Sequence, residues 1–410
     1  MRLTKMFKEF FENEKAGGII LIFCTILSLV LANSAIGETY LHIWHTKIGS
    51  ESLEYWINDG LMAIFFLLIG LELEREIYIG ELSSFKKASL PVFGALGGML
   101  VPAGIFMIFN FGTSTQSGGG IPMATDIAFA IGVLSIMGNK VPAALKVFLV
   151  ALAVIDDLGA IVVIAIFYPS QPESGMLGLT PGMNLLIAGG IFALLLVFNR
   201  LKIKNLIPYL LAGIAMWYFM LHSGIHATIT GVLLAFAIPF QNGSEDSTSY
   251  KLQHYLHKPI TFFILPLFAL ANTCVTIDAN WAESLTSNSS LGIMLGLVIG
   301  KPLGIILMCF IAVKLGLSAL PGKSKWHELL GMGILAGIGF TMSIFVTILA
   351  FDEQEIINHS KIAILIASLT AGIFGFIYLK LVFKKELTVE AEMIEDERSE
   401  EELITEQIDK

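Results

Sequence analysis

The chain is a succession of long apolar runs, recurring with short polar breaks between residues 15 and 383. About 20 apolar residues in a helix match the hydrocarbon thickness of a bilayer. Inside that layer no water can bond the backbone, so a spanning segment must satisfy its own N–H and C=O groups, as a helix does. Twelve candidates follow: 15–33, 58–79, 89–110, 119–137, 143–167, 183–199, 205–221, 223–240, 259–277, 290–313, 327–350 and 359–383. Composition agrees, with 55% of 410 residues apolar and 14% charged, against roughly 45–50% and 25% in soluble domains. The pattern predicts an all-α polytopic membrane protein with twelve transmembrane helices. The first run follows Lys5, Lys8 and Lys15 and has the outline of a signal peptide. Similar runs continue to Phe383, so it is read as an uncleaved first span.

The charges divide by side. Residues 386–410 carry 11 acids and 2 bases, which equals the net −9 of the whole chain, so residues 1–385 balance. Residues 1–385 are therefore read as one twelve-helix membrane domain, and 386–410 as a solvated acidic cytoplasmic tail, partly helical or disordered. With twelve spans, 22 of the 25 Lys and Arg residues, from Arg2 through Lys323 to Lys410, fall on the side of the termini. Two, Lys47 and Lys361, fall on the other, and Lys301 stays within a span. This positive-inside bias puts both termini in the cytoplasm. No basic patch for nucleic acid exists. Cys24, Cys274 and Cys309 stand singly in apolar surroundings, without the spacing of a disulfide or zinc site. The outer loop 38–56 alternates aromatic and polar residues around Ile48-Gly49-Ser50, as a short outer β-hairpin would; an irregular loop fits the same composition.

An internal repeat is visible. Val101-Pro-Ala-Gly-Ile105 in the third span matches Lys301-Pro-Leu-Gly-Ile305 in the tenth, and each precedes a glycine-interrupted span, Ser117–Phe129 and Gly331–Phe345. Seven spans separate the units, so they run in opposite directions through the bilayer. Inverted repeats with broken helices at matching positions are a design of secondary transporters. Close helix packing is the plainer use of such glycines.

Four charges interrupt this apolar background: Asp126, Asp156, Asp157 and Lys301. At a helix centre each costs roughly 2.5–3.5 kcal/mol on insertion scales. Mutual neutralisation across helices would leave an excess of carboxylate. The reading that uses all of them is a site exchanging a metal cation for protons. A hard cation takes oxygen ligands, and adjacent helical residues point about 100° apart, so Asp156 and Asp157 can divide their roles between a neighbouring helix and a water-filled cavity. The half-helix ends of a broken span carry opposite partial charges; Asp126 can balance the positive one and Lys301 the negative. Glu72, Glu74, Arg75 and Glu76 end the second span and read equally as a solvated helix end. His222 and His226 share a helix face four residues apart; without nearby Cys or acids they suit packing or pH response better than zinc. His254 and His257 lie in a basic segment before the ninth span, where a plain surface role is open.

The stretches IPMATDIAFAIGVL, ALAVIDDLGAI, IGKPLGI, LHSGIHATITGV and GILAGIGFTMSIF together resemble the NhaA family of bacterial sodium/proton antiporters, from the first span to the twelfth and leaving out the tail. The resemblance implies crossed broken helices 4 and 11, a homodimer joined through the outer β-hairpin, and a bacterial inner-membrane location. It implies no enzyme and no cofactor; the cargo is sodium or lithium against protons, carried electrogenically by alternating access. Asp157 matches the principal sodium carboxylate, and Asp156 its neighbour, paired with the lysine matched by Lys301. Thr125 and Asp126 match the broken-helix positions flanking the cation and proton site. Glu72, Arg75, Glu76, His254 and His257 match a cytoplasmic pH-sensing funnel, and His226 an outer histidine linked to pH response. Gln253 departs from the pattern, standing where the sensing motif often has glutamate. Three other classes fit less well. An organic-anion symporter needs a pocket of Ser, Asn or Arg groups, an intramembrane aspartyl protease needs Gly-x-Gly-Asp, and a cation channel needs a filter sequence.

Overall fold

The computed structural model describes residues 5–169, 178–277, 281–322 and 324–408; Arg2, Lys323 and Lys410 of the charge pattern lie outside them. Helix α1 (Lys5–Ala32) leads through α2 (Gly37–His45) to a two-residue hairpin, β1 (Lys47–Ile48) against antiparallel β2 (Glu51–Ser52). The strands are shorter than the alternation of 38–56 suggests. Residues 37–45 coil instead, because Gly37, Tyr40 and Trp44 fall on one buried helical face. Helix α3 (Leu53–Tyr78) follows, then α4 (Phe85–Asn110), a 3₁₀ segment (Gln116–Met123) and α5 (Ile127–Ile136). Next come α6 (Ala143–Phe167), α7 (Pro181–Arg200), α8 (Leu206–Leu221), α9 (Ile229–Ala237) and α10 (248–272). The chain ends with α11 (Asn288–Lys314), α12 (Trp326–Ala336), α13 (Phe340–Ala350) and α14 (Gln354–Ile408), which carries the last apolar run on into the acidic tail as one helix.

Among the described residues, eight helical segments are long and apolar enough to cross a membrane, and α12 with α13 forms a ninth, bent span. The expected spans at 205–221, 223–240 and 259–277 are shorter or jointed: α8 has 16 residues, α9 has 9, and α10 passes through a π-turn at Ile260–Ile264. Ile108, Phe111 and Leu186 stand more than three-quarters exposed, as side chains meeting lipid would. The molecule is a multi-pass membrane protein.

The repeat explains the tightest packing. Gly292, Gly296, Gly300 and Gly304 recur every fourth residue along α11, and each faces α4 or its neighbours. A Cβ at Gly304 would stand 2.0 Å from the Gly97 carbonyl oxygen, and one at Gly97 equally close to that of Gly304. Backbone therefore touches backbone, which only glycine permits and which small residues at this spacing achieve between membrane helices. Thus the two repeated motifs lie on helices pressed together, which brings Lys301 to the first interruption. Helices α7, α8 and α9 build a separate apolar pile against Leu67 and Leu71 of α3.

One sequence expectation changes. His222 and His226 do not share a helix face: α8 stops at Leu221, and the turn into α9 bends at Gly224, whose φ of +87° suits glycine. Lys361, assigned to the outer side, is only 4% exposed within α14. Cys24, Cys274 and Cys309 are free thiols.

Candidate functional site

Two interruptions build the centre. In the first, Gly118–Gly120 and Pro122 weaken the α-helix, the chain takes the 3₁₀ form to Met123, and residues 124–126 are non-helical before α5 begins. In the second, α12 stops at Ala336, residues 337–339 include two glycines, and α13 leaves at 47°. The breaks lie against each other: Asp126 N donates to Ile338 O at 2.7 Å. Thr125 Oγ1 is within hydrogen-bonding distance of both Ala336 O (3.0 Å) and Asp156 Oδ2 (2.7 Å), and its one hydrogen serves one of them at a time.

The charges sit where the half-helix ends need them. Asp126 Oδ1 accepts from Phe129 N at 2.9 Å and so caps α5, while its Oδ2 accepts from Thr341 N at 3.1 Å and Thr341 Oγ1 at 2.5 Å, in the first turn of α13. One carboxylate thus covers the N-terminal ends of two half-helices, each carrying partial positive charge. Lys301 Nζ donates to Met123 O, at the C-terminal end of the 3₁₀ segment, and stands 2.9 Å from Asp156 Oδ2, both side chains fully buried. A π-turn at Gly296–Gly300 immediately precedes this lysine, as local π geometry often does at functional positions.

Asp157, next along α6, points elsewhere. It is 1% exposed, and among the described residues no donor reaches its Oδ1. With Asp126, Thr125, Thr341, Thr261 and Glu72 it lines a cavity of about 40 Å³ between α3, α6, α10 and the two breaks. That is room for about one water-sized particle. Among the described residues no three His, Cys, Asp or Glu side chains gather into a metal cage. A cation here would meet one unengaged carboxylate and hydroxyl oxygens, a set suited to a weakly held hard ion rather than a resident metal.

The structure thus brings Thr125, Asp126, Asp156, Asp157 and Lys301 to one place. It adds Thr341 and Thr261, which the sequence reading did not single out. The signal for Thr341 was its position in the turn that restarts a helix after Gly339. Glu72 is also more than a solvated helix end, being 9% exposed on the same cavity. Nearby, Arg75 lies 5.0 Å from the centroid of the Tyr250 ring, His254 stacks with the same ring at 6.2 Å, and Glu76 accepts from Glu81 N at 2.8 Å. Gln253 and His257 face inward on α10, 7% and 8% exposed, whereas His254 is exposed. His257 Nδ1 stands 3.9 Å from Glu72 Oε1. Burial, with His254 and Lys258 beside it, pushes the imidazole down to about 4, so near neutrality this is a contact of a neutral ring. His226 is remote from this group, in the turn between α8 and α9; among the described residues its Nε2 has no hydrogen-bond partner.

The family model Na+/H+ antiporter 1 matches residues 8–379. The Na(+)/H(+) antiporter NhaA of Flavobacterium psychrophilum is 64% identical over 384 residues, covering 94% of this chain and 98% of that protein. The same-named protein of Cytophaga hutchinsonii is 60% identical over 390 residues, 95% and 99% of the two chains, and that of Dechloromonas aromatica 56% over 382, 92% and 96%. Such proteins are transporters rather than enzymes. The chain belongs to the NhaA family of Na+/H+ antiporters.

Proposed function

We propose that this chain exchanges intracellular sodium, or lithium, for external protons by alternating access across a bacterial inner membrane, with Asp157 as the cation-binding group. The observation that carries the reading is the unequal engagement of the two adjacent aspartates: Asp156 Oδ2 is held by Lys301 and Thr125, whereas Asp157 lines the cavity, which Asp156 does not; among the described residues no donor reaches Oδ1 of either. A carboxylate in such a place can bind either a proton or a cation, and that competition is what an antiporter needs. Asp126 and Lys301 offset the half-helix ends, so backbone can stay open beside the cavity. If Asp156 also exchanges a proton when its ion pair opens, two protons move against one monovalent cation and transport is electrogenic.

In this reading the shorter helices α8, α9 and α10 complete twelve spans, the broken helices are crossed, both termini are cytoplasmic, and the outer hairpin joins two copies. Activity would respond to pH through the groups around Glu72, Arg75, Glu76, Gln253, His254 and His257, with His226 on the outer side. The test is sodium-driven proton movement in proteoliposomes without organic substrate. Wild type should acidify or alkalinise the lumen according to the imposed sodium gradient, and Asp157→Asn, which removes the ionisable oxygen at constant size, should abolish the signal while the protein remains folded. Sodium-driven proton flux that survives in Asp157→Asn refutes the assignment.

A further inference from the structure

We propose a second ligand site, for an organic ammonium group, around Glu74. Glu74 lies two residues beyond Glu72, and side chains two apart on a helix point about 200° from each other. Glu72 faces the Asp157 cavity, whereas Glu74 faces a second cavity of about 540 Å³ at the ends of α3, α7 and α9. Glu74 is 4% exposed, and among the described residues no donor reaches its Oε2. An unengaged buried carboxylate is costly unless a ligand or proton meets it. The remaining walls select for positive charge. Asn199 donates one of its two amide N–H groups to Ala237 O at 2.9 Å, and its carbonyl oxygen is an acceptor. Phe240 stacks with Tyr78 at 4.9 Å, and Phe236 completes an aromatic side.

Size distinguishes the ligand. A bare alkali ion would be lost in this volume, which lies in the range of small-molecule pockets. Aromatic faces beside a carboxylate suit an alkylammonium, through cation–π attraction and a charge-assisted hydrogen bond. Tyr78 and Ile79 on the rim are 62% and 48% exposed, and aromatic residues of this kind concentrate at the bilayer–water boundary. Two sources share the chemistry: the ethanolamine headgroup of a phospholipid, and a free primary amine from the aqueous side.

The test uses the full chain in nanodiscs holding equal fractions of phosphatidylethanolamine and phosphatidylcholine, with retained lipid measured by native mass spectrometry. A parallel arm measures thermal stabilisation of detergent-purified protein by ethanolamine hydrochloride against sodium chloride at equal ionic strength. Selective retention of phosphatidylethanolamine by wild type, reduced roughly tenfold in Glu74→Gln, supports the site with a lipid source. Stabilisation by ethanolamine that Glu74→Gln removes, without lipid selectivity, supports it with a free-amine source. Tyr78→Leu should weaken either response while leaving Glu74 in place, and retained sodium/proton exchange in both variants shows that they fold. Wild type and Glu74→Gln behaving alike in both arms overturns the proposal.

Discussion

Lys301 can be tested for what its two contacts imply. Its ammonium meets Asp156 Oδ2 at 2.9 Å and also the Met123 carbonyl, with no exposed surface on either side chain. Lys301→Ala therefore removes the cation facing Asp156, the donor at the C-terminal end of the 3₁₀ segment, and a fully buried aliphatic stem. Breaking a buried pair by deleting one partner costs about 3–5 kcal/mol, and the emptied stem adds a cavity cost. Asp156→Asn leaves the lysine bonded to Met123 O and keeps the side-chain volume, so its loss should be smaller. The double variant should be more stable than Lys301→Ala alone, because the stranded carboxylate has gone. At about 2–4 °C per kcal/mol for chains of 150–250 residues, and less for a longer one, Lys301→Ala should melt roughly 5–10 °C below wild type. Thermal unfolding of the four proteins in one detergent completes the cycle. Strictly additive losses, or a double variant no more stable than Lys301→Ala, would refute the pairing as a source of stability.

The repeat offers a paired test. Gly304→Ala puts a methyl 2.0 Å from the Gly97 carbonyl oxygen and should cost about 1–3 kcal/mol or more by overpacking, whereas at its repeat counterpart Gly104 nothing lies within 4 Å and Gly104→Ala should be neutral or stabilising; equal melting temperatures would contradict the backbone contact. His257, pushed from 6.5 down to about 4 by burial and its basic neighbours, makes the unfolded chain the better proton binder between those values. Stability should therefore be lost as pH falls from 6.5 to 4, by up to about 3 kcal/mol, and His257→Asn should flatten that part of a melting-temperature profile. Gln253→Glu places a carboxylate one helical turn before His257, favours the protonated ring and should move the pH–activity curve to higher pH; superimposable curves would remove this segment from the pH response.

Much of this molecule is legible in one dimension because the bilayer removes alternatives. An apolar run of spanning length must become a helix, so the multi-pass architecture follows from local composition. Charge inside such a run is costly enough that Asp126, Asp156, Asp157 and Lys301 identify themselves, and glycine-rich interruptions at repeated positions mark the two breaks. Partner choice is different, since it depends on contacts between residues far apart in the chain. That Asp126 caps α5 and meets Thr341, 215 positions away, follows from how the two breaks lie together. The neighbours Asp156 and Asp157 are chemically identical in sequence; only the orientation of α6 gives one to Lys301 and the other to a cavity. Local pattern also misjudged burial. Glu72, His257 and Gln253 sit in stretches polar enough for a surface, yet α10 folds over the end of α3 and encloses them. The helical phase of a residue is written in the sequence, but what stands opposite that face is decided only when the helices pack.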